Sequence, residues 1–178
     1  MFGEAMQALT AELDEAPDLL GERTIVIDSP IGLLRLRSNG EALTTLWFVR
    51  EPEVRAASTP DAILRSATAE LGAYFKRQLT QFETPLVFNR GSAFRRSVWD
   101  ALLRIPYGHT CSYADVARQI GQPSAMRAVG AANAANPMAI IVPCHRVIGA
   151  KGALVGFGGG LHTKRKLLEL EGVFLPLS

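Results

Sequence analysis

Three short runs near the start of the chain, at residues 24–28, 33–37 and 43–49, either alternate apolar and polar residues or are rich in residues that favour strands. Alternation with a period of two is typical of strands that bury one face. Asn39-Gly40 separates the second and third runs, and this residue pair favours a tight hairpin turn. The pattern therefore predicts a small antiparallel sheet, with Trp47 as an aromatic residue of the sheet or its core.

A helical period follows the strands. Thr59-Pro60 is typical of an N-cap followed by a proline in the first turn. The predicted helix packs on the sheet through one apolar face, which consists of Ile63, Ala67, Leu71, Tyr74 and Phe75. Residues 81–91 contain Pro85 and show no period, so we interpret them as a linker. Residues 1–22 are rich in Ala, Glu, Asp and Leu and predict a helical or frayed extension without a function.

Three further helices are predicted beyond the linker. The first ends before Pro106 and Gly108, and its apolar residues at helical spacing are Phe94, Val98, Trp99, Leu102 and Leu103. Ser112 and Asp115 resemble a shortened capping box, which would begin a second helix ending at Gly121. Residues 122–124 then form a turn into a third helix, which ends before Asn136-Pro137. A helix, a short turn and a helix is a DNA-binding shape.

The pattern as a whole predicts an α+β fold, with an N-terminal α/β domain at residues 1–90 and a C-terminal helical domain at residues 91–178. The two halves differ in charge. Residues 1–90 carry 9 Lys+Arg and 13 Asp+Glu, a net charge of −4, whereas residues 91–178 carry 10 and 4, a net charge of +6. A basic C-terminal half is weak evidence for an anionic partner such as DNA.

The composition narrows the class of protein. With 178 residues and 48% hydrophobic content, the chain can bury a substantial core. No apolar run approaches the roughly 20 residues of a membrane span, and the charged N-terminus lacks a secretory pattern. We therefore expect a cytoplasmic protein without a membrane partner, in which Cys111 and Cys144 are both free. Two cysteines and three histidines show no paired spacing of a zinc site, so no metal and no cofactor are predicted.

The stretch from Ile140 to Val147 holds a cysteine and a histidine behind a stiff apolar approach. Its β-branched residues Ile140, Ile141 and Val142 favour an extended, buried backbone, which Pro143 would end. Neighbouring side chains of an extended chain point to opposite faces, so Cys144 and His145 are not expected to form a direct dyad, and a water would couple them. The alternative is that Cys144 is a small buried hydrophobic residue.

Several motifs here occur in the order found in one family. They are Ile105-Pro106-Tyr107-Gly108, Ser112-Tyr113, Arg127-Ala128-Val129-Gly130, Asn136-Pro137, Pro143-Cys144-His145-Arg146-Val147 and Gly159-Gly160-Leu161. Between about Gly91 and Gly172 the chain resembles the O6-alkylguanine-DNA alkyltransferases. Weaker similarity extends back to residues 29–32.

The resemblance implies a chemistry for four residues. Cys144 would take the alkyl group as a thiolate, because a neutral thiol is a poor nucleophile. His145 would remove the thiol proton through a water, and a glutamate at the position of Glu171 would orient this histidine. Tyr113 is the candidate donor that neutralises the departing guanine. The alternatives are a structural histidine, a solvated helix glutamate and a core tyrosine.

The resemblance also implies how DNA is held. The third of these helices, with Ala128 and Gly130 among its small residues, would enter the minor groove, and Arg127 would fill the gap left by the extruded base. Composition alone is equally typical of a helix buried in the core. Ser112 and Tyr113 complete the predicted DNA contacts. The predicted base pocket comprises Asn136 as a brace together with Val147, Leu154, Phe157 and Gly158.

These expectations amount to direct-reversal DNA repair by a monomer acting on double-stranded alkylated DNA. The alkyl group of O6-alkylguanine, with O4-alkylthymine as a second candidate, would move once to Cys144 after base flipping. The alternatives are a protein that binds alkylated bases, a helix-turn-helix regulator without turnover, and a cysteine hydrolase. The last would need a separated histidine and an oxyanion hole.

Overall fold

The computed structural model describes residues 21–49 and 58–173. Most of the predicted extension at residues 1–22 lies outside these ranges. The described residues form two compact units, one ending at Asn89 and the other beginning at Arg90. This division falls one residue before the boundary expected from the sequence.

The N-terminal unit is built on a three-stranded antiparallel sheet in the order β1-β2-β3, with strands Arg23–Ile27, Leu34–Ser38 and Leu43–Phe48. Leu36 lies opposite Ile25 on one side and Leu46 on the other. The hairpin predicted at Asn39-Gly40 is present. The Asn39 side-chain oxygen accepts hydrogen bonds from the amides of residues 41 and 42 at 3.0 and 2.8 Å, and Gly40 has a φ of 92°. Trp47 is buried, as predicted.

Helix α1, Ala62–Phe75, packs on β2 and β3. The N-cap expected at Thr59 is wrong, because Asp61 occupies this position. One Asp61 oxygen accepts from the amide of Leu64 at 2.8 Å, and the other accepts from the Ser38 hydroxyl at 2.9 Å. A carboxylate that caps a helix and also binds the sheet stabilises both. Leu64, rather than the predicted Ile63, lies in the core.

The stretch expected to be a free linker is in part a bridge of the N-terminal unit. Leu86 lies beside Leu43 in a parallel arrangement. The Leu43 amide donates to the Pro85 carbonyl at 2.8 Å, and the Val87 amide donates to the Leu43 carbonyl at 3.0 Å. The backbone N–H and C=O groups at the edge of β3 thus form hydrogen bonds with this irregular segment. Periodicity of the side chains gives no indication of such backbone pairing.

The C-terminal unit contains the three predicted helices, α2 at Ala93–Leu103, α3 at Tyr113–Gln119 and α4 at Met126–Ala134. Helix α4 packs on both α2 and α3, and the Trp99 indole donates to the carbonyl of Ala132 at 2.9 Å. Gly91 is required beside this indole, because an added Cβ would lie 2.6 Å from its ring. The capping box of Ser112 and Asp115 is complete.

Short strands, a 3-10 helix and one longer helix complete this unit. Strand β4, Cys111–Ser112, pairs in parallel with β5, Val147–Ile148. A 3-10 helix at Cys144–Arg146 precedes β5, and helix α5 spans Gly160–Leu170. The α+β fold predicted from the sequence, with an N-terminal sheet and a C-terminal helix-turn-helix unit, is confirmed. None of the described helices is both long and apolar enough to cross a membrane.

Candidate active site

The backbone before Cys144 is a tight buried turn, so the extended strand expected at Ile140 to Val142 is wrong. Ile140 has a φ of 73°, which a β-branched residue rarely adopts. The Ile141 amide donates to the carbonyl of Ala139, and the Val142 amide donates to that of Met138, each at 2.9 Å. The β-branched residues are selected by burial, since Ile140 and Val142 are fully enclosed, and their strand propensity is overridden.

Asn136 holds this turn. Its side-chain amide donates to the carbonyls of Val142 at 2.8 Å and Met138 at 3.4 Å, and its side-chain oxygen accepts from the Met138 amide at 3.0 Å. The side chain is fully buried. Three hydrogen bonds to the backbone explain how an unfavourable φ at Ile140 is maintained. Asn136 therefore braces the approach to Cys144.

Cys144 begins the 3-10 helix and is buried, and both cysteines of the chain are free thiols, as predicted. Burial raises the pKa of the Cys144 thiol. Hydrogen bonding by the Asn136 side chain, the charge of Lys164 and the backbone amides of Cys144 and His145 oppose this rise. The site thus combines a buried, desolvated thiol with groups that favour its thiolate form.

His145 and Glu171 meet although they are 26 residues apart, with 2.9 Å between Nε2 and Oε1. A carboxylate can only accept, so Nε2 carries the hydrogen in this pair. Burial lowers the pKa of His145, although Glu171 opposes the effect, and the neutral ring therefore keeps a lone pair on Nδ1. This Nδ1 atom is buried and has no hydrogen-bond partner among the described residues. The imidazole is arranged to accept one proton there.

Arg146 is a residue of this cluster that the sequence interpretation missed, although it stands inside the quoted cysteine motif. Its Nε and Nη2 atoms donate to the two oxygens of Glu171 at 2.8 and 2.9 Å, and its Nη1 donates to the carbonyl of Ile105 at 2.6 Å. The Gly108 amide adds a bond to Glu171 at 3.2 Å. Burial raises the pKa of Glu171, but the bonds and charges of His145 and Arg146 outweigh it and lower the pKa to about 2.

Tyr113 lies at the first position of α3, and its hydroxyl is 3.4 Å from the carbonyl of Val155. Burial, and then the nearby Cys144, raise the pKa of Tyr113 to about 12, while Asn133 lowers it through a hydrogen bond. The hydroxyl therefore remains protonated at neutral pH. Asn133 is a second missed residue. It is buried on α4 and donates to the Cys144 carbonyl at 3.3 Å.

The exposed face of α4 carries Arg127 and Ala128, and Gly130 lies partly exposed one position beyond Val129. The small Ala131 and the larger Met126 are also exposed on this helix. A Cβ at Gly130 would lie 3.9 Å from the Tyr113 ring, an ordinary contact. The Ser112 hydroxyl is engaged by the carboxylate of Asp115 at 2.6 Å within the capping box.

The predicted pocket residues differ in exposure. Val147 is fully buried in β5, Leu154 and Gly158 are partly exposed, and Phe157 is buried with its ring edge-on to His145 at a centroid distance of 6.4 Å. Lys164, which the sequence interpretation missed, is fully buried beneath the loop at residues 153–158. Lys164 stands three and four positions before the buried Leu167 and Leu168, so helical spacing could have placed it on the inward face of α5.

The described residues contain no group of three or more histidine, cysteine or acidic side chains able to hold a metal ion. The potentially reactive side chains of the C-terminal unit are instead the thiol, the imidazole with its carboxylate and the phenol. Such a set can form a bond to sulfur and move protons, which is the chemistry of group transfer to a protein nucleophile. Fold and site together define a protein that takes a group onto its own cysteine beside a helix-turn-helix.

Comparisons with known proteins give the family. Residues 22–88 match the ribonuclease-like domain of 6-O-methylguanine DNA methyltransferase, and residues 93–173 match the DNA binding domain of the same family. The chain therefore belongs to the 6-O-methylguanine DNA methyltransferase family. Its function is DNA repair by alkyl transfer, as a methylated-DNA–protein-cysteine methyltransferase.

Individual relatives agree over most of their length. The chain is 54% identical to the methylated-DNA–protein-cysteine methyltransferase of Mycobacterium tuberculosis over 149 residues, which cover 82% of this chain and 89% of the relative. Identity to the protein of that name from Methanosarcina acetivorans is 44%, with coverages of 83% and 96%. The crystal structure of M. tuberculosis OGT in complex with DNA matches with a TM-score of 0.75 and 51% identity, covering 84% of this chain and 91% of that one.

Proposed function

We propose that Cys144 is the residue that accepts the alkyl group, and that it takes this group from O6-alkylguanine in double-stranded DNA. The observation that carries the proposal is the buried thiol next to a neutral imidazole whose Nε2 is fixed by Glu171 at 2.9 Å. O4-alkylthymine is a second candidate substrate, because it offers a comparable alkylated oxygen. The C-terminal unit would contribute both the chemistry and the DNA contacts.

Activation of Cys144 follows from the arrangement of His145. The thiol proton passes to Nδ1 of His145 through a bridging water, and Glu171 stabilises the imidazolium that forms because it bonds to Nε2. Arg146 keeps Glu171 ionised and aligned. The backbone amides and the Asn136 side chain that surround the thiol then stabilise the thiolate.

The transfer is a displacement at the alkyl carbon. The bond from sulfur to carbon forms while the bond from carbon to the guanine oxygen breaks, and the electron pair of the broken bond stays on the base. Tyr113 donates its proton to the departing base, which leaves as neutral guanine. The proton that His145 took from Cys144 then returns to Tyr113 through solvent, so both side chains regain their starting protonation states and the net products are neutral guanine and a thioether at Cys144.

A base inside a duplex cannot reach a buried thiol, so the alkylated nucleotide must leave the stack. The small exposed residues of α4 allow close approach to a minor groove, and Arg127 has the length to occupy the space left by the base. Ser112 and Tyr113, at the start of α3, would contact the sugar-phosphate backbone of the DNA. The flipped base would enter between Phe157, Leu154 and the backbone of Gly158, with Asn136 and Val147 supporting the pocket from below.

Arg127→Ala is expected to slow repair of a methylated duplex by at least about tenfold while leaving the reaction with free O6-benzylguanine nearly unchanged. Only the duplex requires extrusion, which costs a few kcal/mol. Rates on both substrates are measured by the alkylated fraction of the protein over time. Arg104→Ala is the matched control, since it removes one exposed charge at the end of α2. Equal losses on both substrates would refute the intercalating role.

The experiment that tests the proposed function measures intact mass after incubation with excess methylated duplex. A thioether is neither an ester nor a disulfide, so neither hydrolysis nor exchange with the second free thiol, Cys111, removes the alkyl group, and the described residues contain no cluster of side chains able to hold a metal ion. Every molecule should therefore gain one methyl group, carried by the peptide that contains Cys144, and then stop. Binding without a gain in mass would favour a protein that only recognises lesions or regulates transcription. Repair of many lesions per molecule would favour a true catalyst.

We further propose that the protein works as a monomer in the cytoplasm, where bacterial and archaeal relatives would meet chromosomal DNA and where thiols stay reduced. A single described unit supplies the thiol, its base and the helix-turn-helix, so one chain suffices for the reaction. Sedimentation of the protein with and without a short duplex tests this stoichiometry.

A further inference from the structure

Lys164 is the most deeply buried lysine, arginine or acidic residue among the described residues. It lies on α5, is fully buried, and donates from Nζ to the carbonyls of Val147 at 2.6 Å and Val155 at 2.8 Å. A third, longer contact of 3.5 Å reaches the carbonyl of Gly156. No carboxylate of the described residues pairs with it, so backbone carbonyls alone compensate a buried charge. Burial of an ammonium group costs free energy, so a lysine in such an arrangement is seldom retained without a role.

The three carbonyls belong to two different segments. Val147 lies in β5, directly after the 3-10 helix that carries Cys144, whereas Val155 and Gly156 lie in the loop that leads to Phe157. Between Ala153 and Phe157 the loop has no regular secondary structure. The Gly149 amide donates to the Ala153 carbonyl at the start of the loop, and the ammonium of Lys164 joins the middle of the loop to the strand behind the reactive thiol.

We propose that Lys164 is a positioning residue that fastens the loop at Val155 and Gly156 to β5, and so holds one wall of the pocket in place for the alkylated base. The inference rests on the proposed function, because that function assigns the pocket to this loop. Tyr113 extends the same connection, since its hydroxyl is 3.4 Å from the Val155 carbonyl that Lys164 binds. One ammonium group would thus fix the positions of both the pocket loop and Tyr113, the proton donor for the base.

The connection depends on the charge of Lys164. Burial lowers the pKa of this lysine to about 8, while the nearby Cys144 raises it. The other titratable groups of the described residues near it are the His145 ring, which its charge affects, and the Tyr113 hydroxyl at the shared carbonyl. Above about pH 8 the ammonium loses its charge and one donor. The hold on the loop should then weaken.

The test follows the reaction with free O6-benzylguanine at increasing concentration, which separates the half-saturating concentration from the limiting rate. Lys164→Met should raise the half-saturating concentration at about pH 7 by at least about tenfold, because hydrogen bonds between a charged donor and the loop carbonyls are lost. In the unmodified protein this concentration should rise as the pH passes through the lysine pKa of about 8. In Lys164→Met the half-saturating concentration should be high and independent of pH. Ionisation of Cys144 and His145 acts on the limiting rate and is thereby kept apart.

Two further variants secure the interpretation. Lys164→Gln retains two N–H donors without the charge, so it should give an intermediate half-saturating concentration, and it serves if Lys164→Met does not fold. Lys166→Met removes an exposed lysine of the same helix and should behave as the unmodified protein. Exchange of amide hydrogens should speed up at residues 153–157 only in the Lys164 variants.

An unchanged half-saturating concentration in folded Lys164→Met and Lys164→Gln would overturn the proposal. So would a loss confined to the limiting rate. Failure of the unmodified protein to transfer any benzyl group to Cys144 would instead refute the proposed function, and the two failures are thus distinguished.

Discussion

Cys144→Ala is expected to abolish alkyl transfer completely and to leave most of the affinity for duplex DNA. The product is a thioether, and alanine has no nucleophilic atom with which to accept the alkyl group. The thiol is buried and contributes nothing to contacts with phosphates, which dominate the affinity for DNA. Intact mass after incubation with methylated duplex measures transfer, and a binding titration at fixed salt measures affinity.

Cys111→Ala is the matched control for this result. Cys111 lies half-buried in β4, and burial together with the charge of Asp115 raises its pKa to about 11, so that it is almost entirely a neutral thiol at neutral pH. Its removal should leave transfer unchanged. Methylation of Cys111 in the Cys144→Ala protein would show that the accepting thiol has been misassigned.

Glu171→Gln should lower the free energy of unfolding by roughly 3 kcal/mol, because it leaves Arg146 as a buried cation without its counterion. The substituted amide would keep the shape of the side chain but could not stabilise a protonated His145. Transfer should therefore slow by roughly 100-fold, the lower end of what a positioned general base contributes. Urea unfolding and the rate of reaction with O6-benzylguanine measure the two effects. Asp100→Asn, which removes an exposed carboxylate on α2, should change neither.

The stability difference between the unmodified protein and Glu171→Gln should also depend on pH. The pKa of Glu171 falls from its ordinary value of 4.5 to about 2 in the folded protein. A depressed carboxyl pKa stabilises the fold above the unfolded value, and this contribution is lost as pH falls through the folded value. The difference should therefore be constant well above pH 4.5 and shrink between pH 4.5 and about 2. A difference that stays constant through this whole range would contradict the assigned ion pair.

Local patterns were sufficient for most of the regular structure. Alternating or β-rich runs placed the three strands and Asn39-Gly40 placed the hairpin. Apolar spacing placed α1 and α2, and cap and turn residues placed α3 and α4, because each of these signals acts between residues a few positions apart. The Ser112 and Asp115 cap is local in the same sense. The cysteine motif, with its histidine and its distant glutamate, was accessible only through resemblance to a family.

Long-range packing decided the remainder. Asp61 became a cap because Ser38 of the sheet also binds it, and Ile140 adopts a turn because the Asn136 amide satisfies the surrounding backbone. The burial of Lys164 depends on carbonyls 8 to 17 residues earlier in the chain. Arg146 and Glu171 meet only when α5 packs against the 3-10 helix. The sequence alone predicted the three N-terminal strands, four of the five described helices and, through the family resemblance, the candidate reactive residues. Tertiary structure decided which buried polar groups satisfy one another, since such partners carry no periodic signal.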